Sequence, residues 1–181
     1  MLQVWIQGFY EDSSTYNWSK RVTVAVGICW SGKSRLYIVS PGTKVDAPSF
    51  VNQILKPMVQ KNIRRMYGKE SKKVVFHMDS APAHTADFVV KWITDHKVKW
   101  IPKQHWFANS PDLAPMDFAV NGILKRILKR RQAYSVDELV RVAKSEWRKF
   151  PIPKIRSALI SWRKRVERME KKSGFQFQQD S

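Results

Sequence analysis

The sequence predicts an α/β class of fold, in which helices pack on the faces of a mixed β-sheet. Residues 22–28 alternate in the two-residue period of a strand, and after a turn at 31–33 the run 36–39 returns, which predicts a hairpin. The apolar run 74–78 is short and bounded by turn signals, as is typical of a buried strand. Helical patterns dominate the rest of the chain, so strands come first and helices last.

The amino-terminal half contains one further strand and one helix. A short strand is expected over residues 3–6, before a polar turn. Pro48 suits the first turn of a helix, where its missing N–H costs nothing, and the apolar residues of 50–59 have helical spacing. Pro57 lies inside this pattern, and we expect it to kink or break the helix.

The carboxyl-terminal half is predicted to be mainly helical. A short helix over 85–95 and a brief strand over 98–101 precede an acidic loop. Three helices then follow, which are expected over 117–131, from a capping box at 135–138 to about 149, and from beyond 153 to about 173.

Length and composition indicate one globular domain spanning residues 1–181. A chain of 181 residues with 43% hydrophobic residues and eight Trp is long enough to build a core. Its one cysteine, Cys29, lies inside an apolar run, which excludes an internal disulfide and any zinc site with several thiolates. We expect Cys29 to be buried and the protein to occupy a reducing compartment.

The net charge of +18 predicts attraction to polyanions, with nucleic acid as the first class of partner and anionic membrane as the second. No apolar run approaches the ~20 residues that span a bilayer, so we expect no membrane partner. The start does not have the pattern of a signal peptide.

Two acidic turns are candidates for a metal site. Asp79 follows the run 74–78 at the carboxyl end of a predicted strand, where open α/β sheets bind ligands. Asp117 ends the turn 110–117 and begins a helix. Carboxylates are the ligands that Mg²⁺ prefers, although Asp79 could instead accept hydrogen bonds from its own turn. Asp112 is interpreted as bonding its own backbone.

These stretches resemble the catalytic domain of mariner-type transposases, members of the DDE/DDD superfamily. The matching residues are His-Met-Asp-Ser-Ala-Pro-Ala-His at 77–84 and the segment 110–118, with 37 residues between Asp79 and Asp117. The resemblance, which runs from about residue 22 to 174, implies a ribonuclease-H-like fold with a basic helical carboxyl-terminal part. It also implies DNA as the partner, with metal-dependent cleavage and strand transfer as the ancestral activity.

In that family three carboxylates hold two Mg²⁺ or Mn²⁺ ions, and Asp79 and Asp117 correspond to the second and third. His84 corresponds to a family histidine, for which a substrate-phosphate contact and a structural role in the turn both stay open. The first family Asp has no counterpart: residues 3–7 carry no acid, and Asp12 lies in a polar turn. We therefore expect the first strand and its Asp to be missing, with recruitment of Asp12 as the alternative.

Two further positions depart from the family pattern. Asn121 stands where the family usually has Trp, and Lys125 where an acid is common. With the missing first Asp, these departures predict impaired catalysis.

The helical tail carries the basic surface. Residues 121–172 contain 17 Lys or Arg against 5 Asp or Glu. One helical face, opposite Ile123, Ile127 and Leu128, is predicted to bind DNA, and it holds Lys125, Arg126, Lys129, Arg130 and Arg131. A merely solvated face is the alternative. The same run could serve as a nuclear localisation signal, so we expect the nucleus.

Three functional hypotheses follow. The first is a transposase-derived domain that binds DNA without cutting it efficiently. The second is an active magnesium-dependent transposase or endonuclease, completed by upstream residues or by Asp12. The third is a basic scaffold that binds another protein; a homodimer also stays open.

Overall fold

A mixed six-stranded sheet forms the centre of the molecule, whose computed structural model describes residues 2–12, 21–39, 45–78, 81–105, 111–131 and 133–171. The strand order is β3-β2-β1-β5-β6, and β4 also pairs with β2. β1 is antiparallel to β2 and parallel to β5, which is parallel to β6. The strands are β1 Leu2–Asp12, β2 Arg21–Cys29, β3 Gly32–Lys33, β4 Tyr37–Val39, β5 Val74–Met78 and β6 Lys99–Trp100.

Six helices are described, and five of them lie where the sequence predicted a helix, although the first is longer than its predicted pattern. The first, α1, covers 47–67 and is followed by a 3-10 segment, Gly68–Lys73. The predicted helix over 85–95 corresponds to the helix Asp87–Asp95, and a separate short helix, Pro82–Thr85, precedes it. The others are α2 Pro82–Thr85, α3 Asp87–Asp95, α4 (π-helical Met116–Asn121 continuing as Gly122–Arg130), α5 Val136–Lys149 and α6 Ile152–Lys171, with 3-10 turns at Lys103–His105 and Pro111–Leu113.

The expected break at Pro57 is wrong, because α1 continues through this residue. Pro57 has helical dihedral angles, φ −66° and ψ −28°. The turns on either side are π-helical, at Val51–Leu55 and Met58–Ile63. A wider π turn hydrogen-bonds five residues apart, which lets the helix accommodate a residue that has no N–H.

The amino-terminal strand is longer than predicted, and the expectation that the family's first strand and its Asp are missing stays a prediction. β1 is 11 residues long and lies between β2 and β5, whereas the sequence predicted only a short strand over 3–6. The ladder with β2 extends from the pair Trp5–Ile28 to the pair Asp12–Arg21. Gln7 and Gly8 interrupt the apolar pattern of this segment. Hydrogen bonds to two neighbouring strands therefore hold it in the sheet.

Helices cover both faces of the sheet, since alternate residues of β2 enter two separate cores. Ala25 and Cys29 pack in one core with residues of α1, α3 and β5, including Phe50 and Phe76. Val22, Val24, Val26 and Ile28 pack in the other core with residues of α4, α5 and α6. Burial of Cys29 is confirmed, and desolvation raises the pKa of its thiol. Within the described ranges, no helix is long and apolar enough to cross a membrane.

Candidate active site and nucleic-acid surface

Asp117 lies in the first turn of α4, and its side chain is half-buried. Pro115 directly precedes the helix, and the Asp117 N–H donates to the Ala114 carbonyl at 2.8 Å. One turn later, the Asn121 amide Nδ2 donates to Asp117 Oδ1 at 3.5 Å. An anionic side chain in the first turn is favoured by the positive end of the helix dipole. The helix therefore holds the Asp117 carboxylate in place from both its start and its second turn.

Asn121 is a functional candidate that the sequence pattern identified only as a departure from a family. It is buried, with 7% of its surface exposed, and it lies four residues after Asp117 on the same helical face. The spacing of four residues was the available signal, because it places the amide beside the carboxylate.

Asp79 lies outside the described residues, so its position relative to Asp117 stays a prediction. Two ligands of one ion require carboxyl oxygens within ~6 Å of each other. The described strand before Asp79 and the helix that carries Asp117 show which parts of the sheet these two residues adjoin in the chain. β5 ends at Met78, which lies level with Ile6 of β1. The first turns of α4 lie against β1. Asp117 is therefore presented by a helix that packs beside the central strand.

The pairing of β1 argues against recruitment of Asp12. Ile6 is level with the end of β5, but Asp12 pairs with Arg21 at the far end of β1. From residue 6 to residue 12 an extended strand covers ~20 Å, which is too far for a shared ion. The residue that follows Ile6 is Gln7, whose neutral amide is not a carboxylate ligand. The central strand thus supplies no acid near the end of β5.

Asp117 lies within the described residues, whereas its predicted partner Asp79 does not. Among the described residues, no group of three or more His, Cys, Asp or Glu side chains is placed to hold a metal. Each ion of a two-metal site needs its own carboxylates, and Mg²⁺ requires near-octahedral oxygen ligation. With Asp117 as the described carboxylate of the candidate site, the two-ion site stays a prediction.

Asp112 contacts α6, and part of the turn that it was predicted to bond lies outside the described residues. Arg165 Nη1 lies 3.9 Å from Asp112 Oδ1 and donates to the Asp112 carbonyl oxygen at 3.4 Å. The same guanidinium stacks 4.2 Å from the centre of the Phe118 ring. Arg165 is only 18% exposed, and it ties the loop before α4 to α6. Asp112 therefore has a structural role in holding α4 in position.

The two histidines near the end of β5 are part of the core. His84 is 6% exposed and its ring lies 3.9 Å from that of Phe50, so a surface contact of His84 with DNA phosphate is not supported. This position favours the structural alternative. His77 is also buried and lies edge-on to Trp162 at 5.8 Å. Burial lowers the pKa of His77 to about 4, which keeps its ring neutral at physiological pH.

The predicted basic face of α4 is exposed. Lys125, Arg126, Lys129 and Arg130 all face solvent, and among the described residues none of them has an acidic partner. Leu124 and Leu128 are the buried side chains of this helix, whereas Ile123 and Ile127 are only half-buried.

Arg131 differs from the other four cations, because its guanidinium pairs with Glu146 of α5 at 2.9 Å. Glu146 is only 12% exposed, so this ion pair joins α4 to α5. Arg131 therefore contributes less to an anion-binding surface than the sequence suggested.

Family comparison assigns the chain to a class that acts on nucleic acid. The family model described as DDE superfamily endonuclease matches residues 6–140, and the chain belongs to this family. No curated protein matches the chain significantly.

Solved structures show that the fold is the ribonuclease-H-like fold of the Mos1 mariner transposase catalytic domain. That domain with raltegravir and Mn is 21% identical, with a TM-score of 0.79 over 97% of this chain and 84% of the other. The Mos1 mariner paired-end complex with Mn is 18% identical, with a TM-score of 0.82 over 97% of this chain and 56% of the other. The expected fold class is confirmed.

Proposed function

We propose that this DDE superfamily domain derives from a mariner-type transposase, binds duplex DNA and does not cut it efficiently. The exposed basic face of α4 carries the binding part of the proposal. Four cations without acidic partners in the described part of the chain lie along one side of a single helix. Such a surface gains free energy by releasing the counterions of nucleic acid.

The paired-end complex of Mos1 transposase with the left transposon end adds support, because that protein has the same fold. The residues that would read a DNA sequence are not identified in this chain, and the α4 cations would contact phosphates. Phosphate contacts position a protein on DNA but carry no sequence information. We therefore expect duplex binding with little sequence preference.

The composition of the central strand carries the second part of the proposal. β1 has no acid before Glu11, which pairs with Val22 well beyond the level of Met78. Asp79 and Asp117 would then be the only carboxylates of the family pattern, and we propose that they hold one Mg²⁺ or Mn²⁺ weakly. Mg²⁺ keeps much of its water when it has so few protein ligands.

Fluorescence anisotropy of a labelled duplex, measured over a range of salt concentrations, tests the binding. Replacing Lys125, Arg126, Lys129 and Arg130 with Gln should flatten the slope of log affinity against log salt by about 0.9 for each lost phosphate contact. A matched variant with Lys56, Lys61, Lys69 and Lys72 replaced by Gln removes the same charge elsewhere on the exposed surface. Equal slopes for the two variants would contradict the assignment of α4 as a DNA surface.

A further inference from the structure

A second basic surface lies at the outer edge of the sheet. A groove of about 950 Å³ runs beside residues 31–38, which include β3 and β4, between the end of α1 and the helix α5. We call it the edge groove. β2 and β1 separate this edge from β5, so three strand spacings of ~4.8 Å, or ~14 Å, lie between the edge groove and the strand that leads to Asp79.

Four exposed cations from three separate elements line the edge groove: Arg35 from the edge of the sheet, Arg65 from α1, and Lys144 and Arg148 from α5. Among the residues that the structure describes, no acidic side chain lines it. Within the described ranges of the chain, none of these four side chains has an acidic partner. Cations that converge on one concave surface create a positive potential that an anionic ligand would neutralise.

Residues 33–35 of the sheet edge are closed to a further strand. Sheet edges recognise extended peptides through free backbone groups, but the backbone of residues 33–35 is already bonded. Side chains from both faces of the sheet bond these backbone groups. Arg65 donates to the Lys33 carbonyl at 3.3 Å, and Trp147 Nε1 donates to the Ser34 carbonyl at 2.8 Å. Asn62 Oδ1 accepts from the Arg35 N–H at 3.2 Å. The edge groove therefore offers side-chain cations to a ligand and not a hydrogen-bonding strand.

The cations are held by the surrounding structure. The Arg35 guanidinium lies 5.0 Å from the centre of the Tyr37 ring, and Arg65 is fixed by its bond to the Lys33 carbonyl. Lys144 and Arg148 are four residues apart on α5, so they project from the same face of that helix.

Lys33 has a different role from these four. Its ammonium donates to the carbonyls of Trp147, Arg148 and Phe150, and it thereby caps the carboxyl end of α5. Burial lowers its pKa. Lys33 thus holds α5, with Lys144 and Arg148, against the edge of the sheet.

We propose that the edge groove binds the phosphate backbone of duplex DNA, as a second surface separate from α4. This inference rests on the proposed DNA-binding function and identifies a further site for it. Guanidinium groups match phosphate oxygens in charge and in fork geometry, and three of the four groove cations are arginines. The closed edge strand disfavours an extended peptide as the occupant.

The test uses the full chain and a labelled 30-base-pair duplex, with binding followed by anisotropy across a salt series. One variant replaces Arg35, Arg65, Lys144 and Arg148 with Gln, and the control is again Lys56, Lys61, Lys69 and Lys72 to Gln. The groove variant should bind several-fold more weakly than the control. Its slope should be flatter by about 0.9 for each groove cation that contacts a phosphate. Circular dichroism and thermal unfolding confirm that each variant is folded.

A second measurement does not depend on these variants. In the unmodified chain, bound duplex should protect Lys144 from acetylation several-fold more than it protects Lys69, as read by mass spectrometry. Equal protection of the two lysines, together with a groove variant that binds like the control, would contradict DNA binding by the edge groove. The proposal that the chain binds DNA would still stand. Salt-independent or absent binding by the unmodified chain would overturn the proposed function as well.

Discussion

Ile6 of β1 lies opposite Met78 of β5 in a parallel pairing, and Asp79 directly follows Met78 in the chain. The corresponding residue after Ile6 is Gln7. Gln7 therefore follows Ile6 in the central strand as Asp79 follows Met78 in the chain. We therefore propose residue 7 as the position that corresponds to the first acid of the family pattern.

Gln7→Asp should increase the affinity for Mn²⁺ by at least tenfold, because an added carboxylate supplies a hard, charged oxygen ligand. Isothermal titration calorimetry or the electron paramagnetic resonance signal of free Mn²⁺ measures the change. Gln3→Asp is the matched control, since it makes the same substitution at a residue that pairs with Val75, near the start of β5. Equal affinities of the two variants would show that Gln7 does not adjoin the candidate site.

The buried imidazole of His77 predicts a pH-dependent stability. Its pKa is lowered from 6.5 to about 4 in the folded protein by desolvation. Between these values the unfolded chain binds a proton that the folded chain does not, so the free energy of unfolding should fall as the pH drops from about 6.5 to 4. The loss should approach about 3 kcal/mol, at about 1.4 kcal/mol for each pKa unit.

Urea unfolding at a series of pH values measures this loss. His77→Phe should remove most of it, whereas His96→Gln, at an exposed histidine, should leave it nearly unchanged. A pH profile that is the same in the His77 variant and the unmodified chain would assign the effect to other groups.

The sequence predicted elements whose patterns are local. The hairpin of β2 with β4, the buried strand β5 and the cap of α5 all appear, and Ser135 Oγ accepts from the Glu138 N–H at 3.1 Å. In this capping box the Glu138 carboxylate accepts from the Tyr134 N–H at 2.8 Å, one residue before the cap. Such signals depend on residues a few positions apart.

Features that depend on distant partners could not be predicted in this way. β1 owes its length to pairing on both sides, which its interrupted pattern does not show. Lys33 caps a helix that ends more than 110 residues later, and the ion pair of Asp112 with Arg165 joins segments 53 residues apart. No spacing rule connects such residues, because only the folded sheet and its covering helices bring them together.

The chain as given should not nick DNA. Cleavage by two metals requires carboxylates that hold one ion at the attacking oxygen and another at the leaving oxygen. β1 offers no acid near the level of Met78, and Asp12 lies ~20 Å farther along the strand. Two aspartates alone would hold Mg²⁺ weakly, with most of its ligands still water.

The measurement is the conversion of supercoiled plasmid to open circles by purified protein with Mg²⁺ or Mn²⁺. Asp79→Asn, Asp117→Asn and Asp12→Asn serve as controls. Metal-dependent nicking that disappears in the first two variants would refute the proposal that catalysis is impaired. If nicking also disappeared in Asp12→Asn, the pairing of Asp12 with Arg21 would have to change in the active form, because that pairing keeps residue 12 remote from the end of β5.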